Sequence, residues 1–187
     1  MSQRFKFVGT KIKGVYVIIP NPFKDHRGMF ARVFCKNEFQ EIGHSKEIVN
    51  INHSATKMKA SIRGMHFQYP PKAEVKIIKC IKGSIFDVAI DLRKNSETFL
   101  NYYHEVLSAD NMKMLYVPEG FAHGFQSLED DIEMIYYTTE FYSPEHEGGI
   151  RYNDPKVNVE WPLEVTDISE KDKNQNLLSD NFKGIKV

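Results

Sequence analysis

Period-two alternation is the feature that most limits what this chain can fold into. Phe86, Val88, Ile90 and Leu92 fall on one face of an extended segment, with Asp87, Ala89 and Asp91 on the other. Ile132, Met134, Tyr136 and Thr138 share a face in the same way, opposite Glu133, Ile135, Tyr137 and Thr139. Val75 to Ile81 is a further β-rich run, and Lys82-Gly83-Ser84 after it reads as a hairpin turn into the Phe86 strand. Val15 to Ile19, Tyr102 to Leu107 and Leu115 to Val117 bring the expectation to at least six short strands. Helical signals are confined to Asn37 to Ile42, stopped by Gly43, and a start near Ser169, where Ser169-x-x-Asp172 has the form of a capping box. Many strands with almost no helix predict an all-β sandwich or barrel, because only a closed or two-layered sheet protects so many edges.

The chain has 187 residues, which suits one domain (1–187) or at most two small ones, with a short helical segment from about residue 169. That length buries roughly 70% of the unfolded surface, so no disulfide or metal is needed to hold the fold. Lys+Arg and Asp+Glu both number 25, and this balance argues against a general nucleic-acid or membrane-surface binder. No apolar run reaches the roughly 18 residues of a membrane span, and the opening residues lack the apolar stretch of a secretory signal. Cys35 and Cys80 form no motif together. Two ordinary thiols in a cytoplasmic protein are the expectation.

Three clusters carry chemistry. The first is Asn52-His53-Ser54 with Arg63-Gly64-Met65-His66-Phe67-Gln68 and Lys76; the second is Pro118-Glu119-Gly120-Phe121-Ala122-His123-Gly124-Phe125; the third is Tyr136 to Tyr142. His66, Glu74 and His123 could form a facial metal set of two imidazoles and a carboxylate. Gln68 stands where metal-binding cupins carry a second histidine, and a neutral amide is a weak ligand, so no metal and no cofactor are expected. As an acid/base set, the His66 imidazole can serve as a general base, Tyr136 can give a proton, and Arg63 and Lys76 suit a developing oxyanion. Each also has a plain structural explanation: a hydrogen-bonded core histidine, a packed strand tyrosine, a lysine whose tip reaches water.

Taken together, the motifs resemble the dTDP-4-dehydrorhamnose 3,5-epimerase family. Asp25-x-Arg27-Gly28-x-Phe30, Asn52-His53-Ser54, the Arg63 to Gln68 run, Pro70-Pro71, Phe86-Asp87-Val88-Ala89, Asp91-x-Arg93, Leu107-Ser108-Ala109, the Pro118 to Phe125 run, Tyr142-x-Pro144, Asn153-Asp154 and Trp161-Pro162 occur in that order between about Lys11 and Leu178. The resemblance implies a cupin-type jelly roll with a few short helices, no metal, and a homodimer with strands crossing between subunits. It implies a nucleoside-diphosphate-linked 4-keto-6-deoxy sugar as substrate, epimerised at C3, C5 or both through an enolate. In that scheme His66 is the base, Tyr136 the opposing acid, and Lys76 the partner of the enolate oxygen. Asp172, eleven residues past Trp161, would orient His66; otherwise it is simply the acidic member of the Ser169 cap. Arg63 and His123 would contact substrate, Arg27 would reach the partner subunit's nucleotide, and Tyr142 would stack on the base. Asn52, Gln68, Glu147 and Lys171 complete the implied substrate contacts. Two positions depart from the family pattern, Arg32 in place of a glutamate and Asn50 in place of a glutamine, and both fall on the nucleotide side. An arginine can contact guanine in bidentate fashion, so a GDP-linked heptose stands as the alternative substrate. A metal-dependent cupin and a binding module without catalysis are the more distant alternatives.

Overall fold

The computed structural model describes residues 3–187 as two facing β-sheets. Strands are numbered in chain order. Across the first sheet run β1 (Phe5–Gly9), β2 (Tyr16–Pro20), β10 (Met114–Val117), β7 (Lys76–Lys82), β12 (Ile132–Thr138) and β5 (Asn50–Thr56). Across the second run β13 (Glu147–Gly149), β6 (Ser61–Gln68), β11 (Phe121–Ser127), β8 (Ser84–Asp91) and β9 (Tyr102–Ser108), with β14 (Asp167–Ile168) parallel to β6. Every other pairing is antiparallel. β3 (Phe23–Asp25) and β4 (Gly28–Phe30) form a separate hairpin. The expected all-β sandwich is present, with helix limited to short pieces: α1 (Lys36–Phe39), which tightens into a 3₁₀ turn at Gln40–Ile42, a 3₁₀ turn at Pro144–His146, and α2 (Glu170–Lys173). Gly43 ends the first of these in the left-handed conformation at φ 78°, as its sequence position predicts.

Alternation does not separate a wet face from a dry one here. Ile78, Leu115, Ile132 and Met134 of the first sheet meet Ile85, Ala89, Leu107 and Phe125 of the second in the central layer. The opposite faces are buried as well. Ile18, Ile77, Met114 and Tyr137 pack outward under Phe5 and Phe39, the latter a fully buried α1 side chain that contributes roughly 1.5–3 kcal/mol of burial free energy. On the far side, Phe67, Phe86, Val88, Ile90 and Leu92 are covered by Ile150, Val157 and Ile185 of the C-terminal third. The Asp87–Ala89–Asp91 face therefore points into the sandwich, and its hydrophobic counterpart is roofed by the C-terminal segment.

The hairpin expected at Lys82-Gly83-Ser84 does not form. β7 pairs with β10 and β12, whereas β8 pairs with β11 and β9, so the chain turns a corner from one sheet to the other at Gly83 (φ 70°). Both strands are buried on two faces, and each satisfies that by lying inside a different sheet. The corner has no room for a side chain: a Cβ on Gly83 would lie 2.8 Å from Ile132 Cγ2.

A second close approach positions the site. Gly64 on β6 has φ 114°, and a Cβ there would lie 2.7 Å from both Gly124 Cα and His123 O on β11. The two backbones meet where the β6–β11 register shifts, between the His123↔His66 and Phe125↔Arg63 partners. A Gly64→Ala substitution is expected to cost at least about 2 kcal/mol, from positive-φ strain and a backbone clash, and urea denaturation against wild type measures it.

Candidate active site

One end of the sandwich is polar on its inner face and open. The cavity there has a volume of about 330 Å³ and is walled from both sheets. β6 presents His66 and Gln68; β5 and β12 present Asn50, Asn52, Tyr136 and Thr138; β7 begins with Lys76. Glu74, Glu140, Tyr142 and Glu147 close the rim. His66 and Tyr136 thus reach one cavity from opposite sheets, and Asn52 lies directly across the ladder from Tyr136.

His66 Nε2 lies 2.6 Å from Asp172 Oδ1. A carboxylate only accepts, so Nε2 carries the proton and Nδ1 keeps its lone pair. The other Asp172 oxygen accepts from Gly64 N at 3.2 Å, while Ser169 Oγ accepts from Asp172 N at 3.1 Å. Ser169 thus makes its half of the capping box, but the Asp172 carboxylate turns to the imidazole. Burial alone would raise its pKa; the hydrogen bond and charge of His66, with the bonds from Gly64 and Ser169, outweigh it and hold the group below 3.8. Burial also pushes the Tyr136 phenol up, Glu74 adds to that, and Arg63 opposes it, so the phenol keeps its proton at neutral pH.

Lys76 Nζ pairs with Glu74 Oε1 at 3.2 Å, both side chains being largely covered. Glu74 is in the cavity wall as an ion-pair partner, a role that the short Glu74-x-Lys76 spacing permits. His123 stands beside the cavity wall, across the ladder from His66, and its Nε2 lies 2.8 Å from Asp87 Oδ1. Asp87 is fully buried; burial pushes its carboxyl up against the pull of His123 and Lys76. This second imidazole–carboxylate pair is absent from the expected site, and its signal was the polar face of the Phe86 strand. The facial metal set is not assembled: His66 and His123 each meet a carboxylate, Glu74 faces Lys76, and among the described residues no group of three potential ligands converges.

The remaining expected residues divide. The Gln68 amide donates to Lys72 O (2.9 Å) and Phe141 O (3.2 Å) and accepts from Ser143 N (2.6 Å), so it braces the rim loop from within the wall. Asn50 donates to Thr138 Oγ1 at 3.1 Å. Tyr142 is exposed at the mouth and donates to Glu147 Oε2 at 3.0 Å, and Lys171 binds the same carboxylate at 2.6 Å. Arg63 leaves the cavity wall to donate to Ala55 O at 3.1 Å. Arg27 and Arg32 are not brought to the cavity. Arg27 pairs with Asp25 at 2.6 Å on the β3–β4 hairpin, and Arg32 with Glu38 at 3.0 Å beside α1.

A two-sheet jelly roll of the cupin type, holding an imidazole opposite a protonated phenol across one cavity, is a framework suited to an acid/base isomerase. The chain belongs to the dTDP-4-dehydrorhamnose 3,5-epimerase family, whose sequence profile matches residues 9–180. The dTDP-4-dehydrorhamnose 3,5-epimerase of Methanothermobacter thermautotrophicus is 42% identical over 180 residues, covering 95% of this chain and 96% of the relative. The crystal structure of the enzyme of that name from Elizabethkingia anophelis superposes with a TM-score of 0.91 at 36% identity, over 96% of this chain and 100% of the other. A dTDP-6-deoxy-D-glucose-3,5-epimerase from Legionella pneumophila, solved in complex with dTDP-4-keto-L-rhamnose, gives a TM-score of 0.91 at 33% identity, covering 98% of each chain.

The depressed Asp172 pKa carries a sign. Its contribution to stability is complete above the ordinary aspartate value of 3.8 and fades as pH falls through the lower folded-state value. The stability gap between wild type and Asp172→Asn is therefore expected to narrow as the pH is lowered below about 4. Chemical denaturation across that range measures it.

Proposed function

We propose that this protein is a cofactor-independent epimerase that inverts both C3 and C5 of a dTDP-linked 4-keto-6-deoxyglucose. The placement of His66 and Tyr136 on opposite walls of one cavity carries the proposal. A ketone at C4 acidifies the C–H bonds at C3 and C5. His66 Nδ1 takes such a proton on one face of the ring, its charge balanced by Asp172 across 2.6 Å. Electrons from the broken C–H bond move to O4, where the Lys76 ammonium meets the enolate oxygen. Tyr136 returns a proton to the same carbon from the other face, inverting it. His66 then gives up its proton and the phenol is recharged from solvent, so nothing is oxidised or reduced.

Tyr142 offers an exposed ring at the mouth for the nucleotide base, its hydroxyl held by Glu147, which Lys171 in turn binds. Asn50 and Asn52 line the adjoining wall. The dTDP named for the relatives supports thymidine over guanosine, and their 3,5-epimerase names support action at both carbons. Arg32, held by Glu38, lines a neighbouring groove with Asn50 and Ile51, which leaves it outside the sugar cavity. The cytoplasm suits the unbridged Cys35 and Cys80, and no helix among the described residues is long and apolar enough to cross a membrane.

A homodimer completes the proposal. The β3–β4 hairpin exposes Phe23, Met29 and Phe30, with Phe30 67% exposed, and edge strand β5 exposes Ile51. A second copy packed there would bury these side chains and carry Arg27 toward its neighbour's nucleotide. Wild type is expected to run as a dimer in light scattering, and Phe30→Asp to shift it toward monomer and weaken substrate binding.

Turnover in heavy water is expected to place deuterium at C3 and C5, read by NMR of the sugar. His66→Asn should lower kcat by at least about 100-fold, and Tyr136→Phe should impair one inversion more than substrate binding. Protium retained at both carbons, with the product still formed, would remove the enolate route.

A further inference from the structure

A second cavity, of about 480 Å³, shares no lining residue with the one holding His66. Three separate segments converge on it. The turn after β1 contributes Lys11 and Lys13, the segment after β8 contributes Arg93 and Lys94, and the segment after Gly184 contributes Lys186. The convergence is built in. Lys94 N donates to Ile185 O at 2.7 Å and Ile185 N donates to Leu92 O at 2.6 Å, which pins residues 185–187 beside 92–94. Gly184, at φ 92°, permits the approach, since a Cβ there would lie 2.7 Å from Lys94 Cα.

Charge is distributed unevenly around this cavity. The floor is neutralised: Asp91 receives both Arg93 Nε (2.9 Å) and Nη2 (2.7 Å), and Ser96 and Thr98 bond the same carboxylate. Arg93 is further fixed over the Phe121 ring, 4.6 Å from its centroid. The rim is not neutralised. Among the described residues, none of Lys11, Lys13, Lys94 and Lys186 has a side-chain ion-pair partner, and Glu97 is the one acidic side chain in the lining. In a chain whose formal charges cancel, four unpaired ammonium groups around one concavity focus a positive field. Like charges on one concavity repel, and an anion of several charges that bridges them relieves that repulsion. Lysine tips arriving from different directions suit the separated oxygens of linked phosphates. Lys11 and Thr98 also line an adjoining cavity that includes Phe99 and Tyr102, where the organic part of such a ligand would lie.

We propose that this cavity is a binding site for a polyphosphate-bearing ligand, a nucleoside triphosphate being the class that fills both compartments, separate from the epimerase cavity. The test is an NMR titration of the intact protein, following backbone amides, with inorganic tripolyphosphate in one arm and dTTP in the other. Saturable shifts are expected at Lys94, Asn95 and Ile185. Affinity should fall at least about tenfold in Lys94→Glu/Lys186→Glu and again in Lys11→Glu/Lys13→Glu, with the epimerisation rate unchanged in both. Equal affinity in the two arms assigns the site to the phosphate chain alone, and tighter dTTP binding extends it over Phe99 and Tyr102. Shifts confined to the residues around His66, wild-type affinity in both variants, or no saturable shift at millimolar ligand overturns the proposal. Because the readout is binding at a second place, failure here leaves the epimerase proposal standing, and failure of that proposal leaves this one.

Discussion

The short contact between Asp172 and His66 joins the last helix of the chain to a strand in the middle of a sheet, and the order of the site follows from it. An imidazole at a cavity wall can turn about its side-chain bonds and hold its proton on either nitrogen. A buried carboxylate at 2.6 Å removes both freedoms, leaving one basic nitrogen directed away from the acid. That carboxylate is itself held by Gly64 N, from the strand that carries His66, so base and orienting group share a backbone reference point. The segment delivering Asp172 is anchored by Ile150 and Val157 packing on the outer face of the second sheet. The orientation of the His66 imidazole therefore depends on an apolar layer on the other side of the sheet.

Strands β2, β7, β8, β9, β10 and β12 are legible in the sequence, β8 and β12 by alternation and the others as short β-rich runs, and the Gly43 and Ser169 signals mark helix ends by backbone geometry that few other residues supply. Sheet membership is not legible. Lys82-Gly83-Ser84 has a hairpin's composition, yet the decision between hairpin and corner rests on which partners bury both faces of β7 and β8, and those partners lie tens of residues away. Period two cannot say which face is inside when both are, as Phe86–Leu92 and Asp87–Asp91 illustrate.

The site shows the same division. His66, Tyr136, Lys76 and Asn52 fall together because they occupy inner-face positions at one end of paired strands, a relation that alternation encodes. Asp172 is reached through the family motif, since nothing local separates a cap residue from a carboxylate aimed at a distant ring. Arg27 and Arg32 stand apart because a side chain on a projecting hairpin or beside α1 answers to its immediate acid, Asp25 or Glu38, within a single chain. Asp87 is missed because an aspartate on an alternating strand looks solvent-facing until its imidazole partner is placed.

His66 and Tyr136 stand on different sheets, so in the proposed reaction the thickness of the sandwich sets the gap across which a proton would leave and another return. That thickness is maintained by Ile78, Met134, Leu115 and their neighbours, which fill the closed part of the same interlayer on which Tyr136 rests. Under the proposed reaction the apolar filling would work as a spacer gauge: a methylene added or removed deep in it shifts the wall carrying His66 against the wall carrying Tyr136. The placement of both walls is thus adjustable from residues that line no part of the cavity.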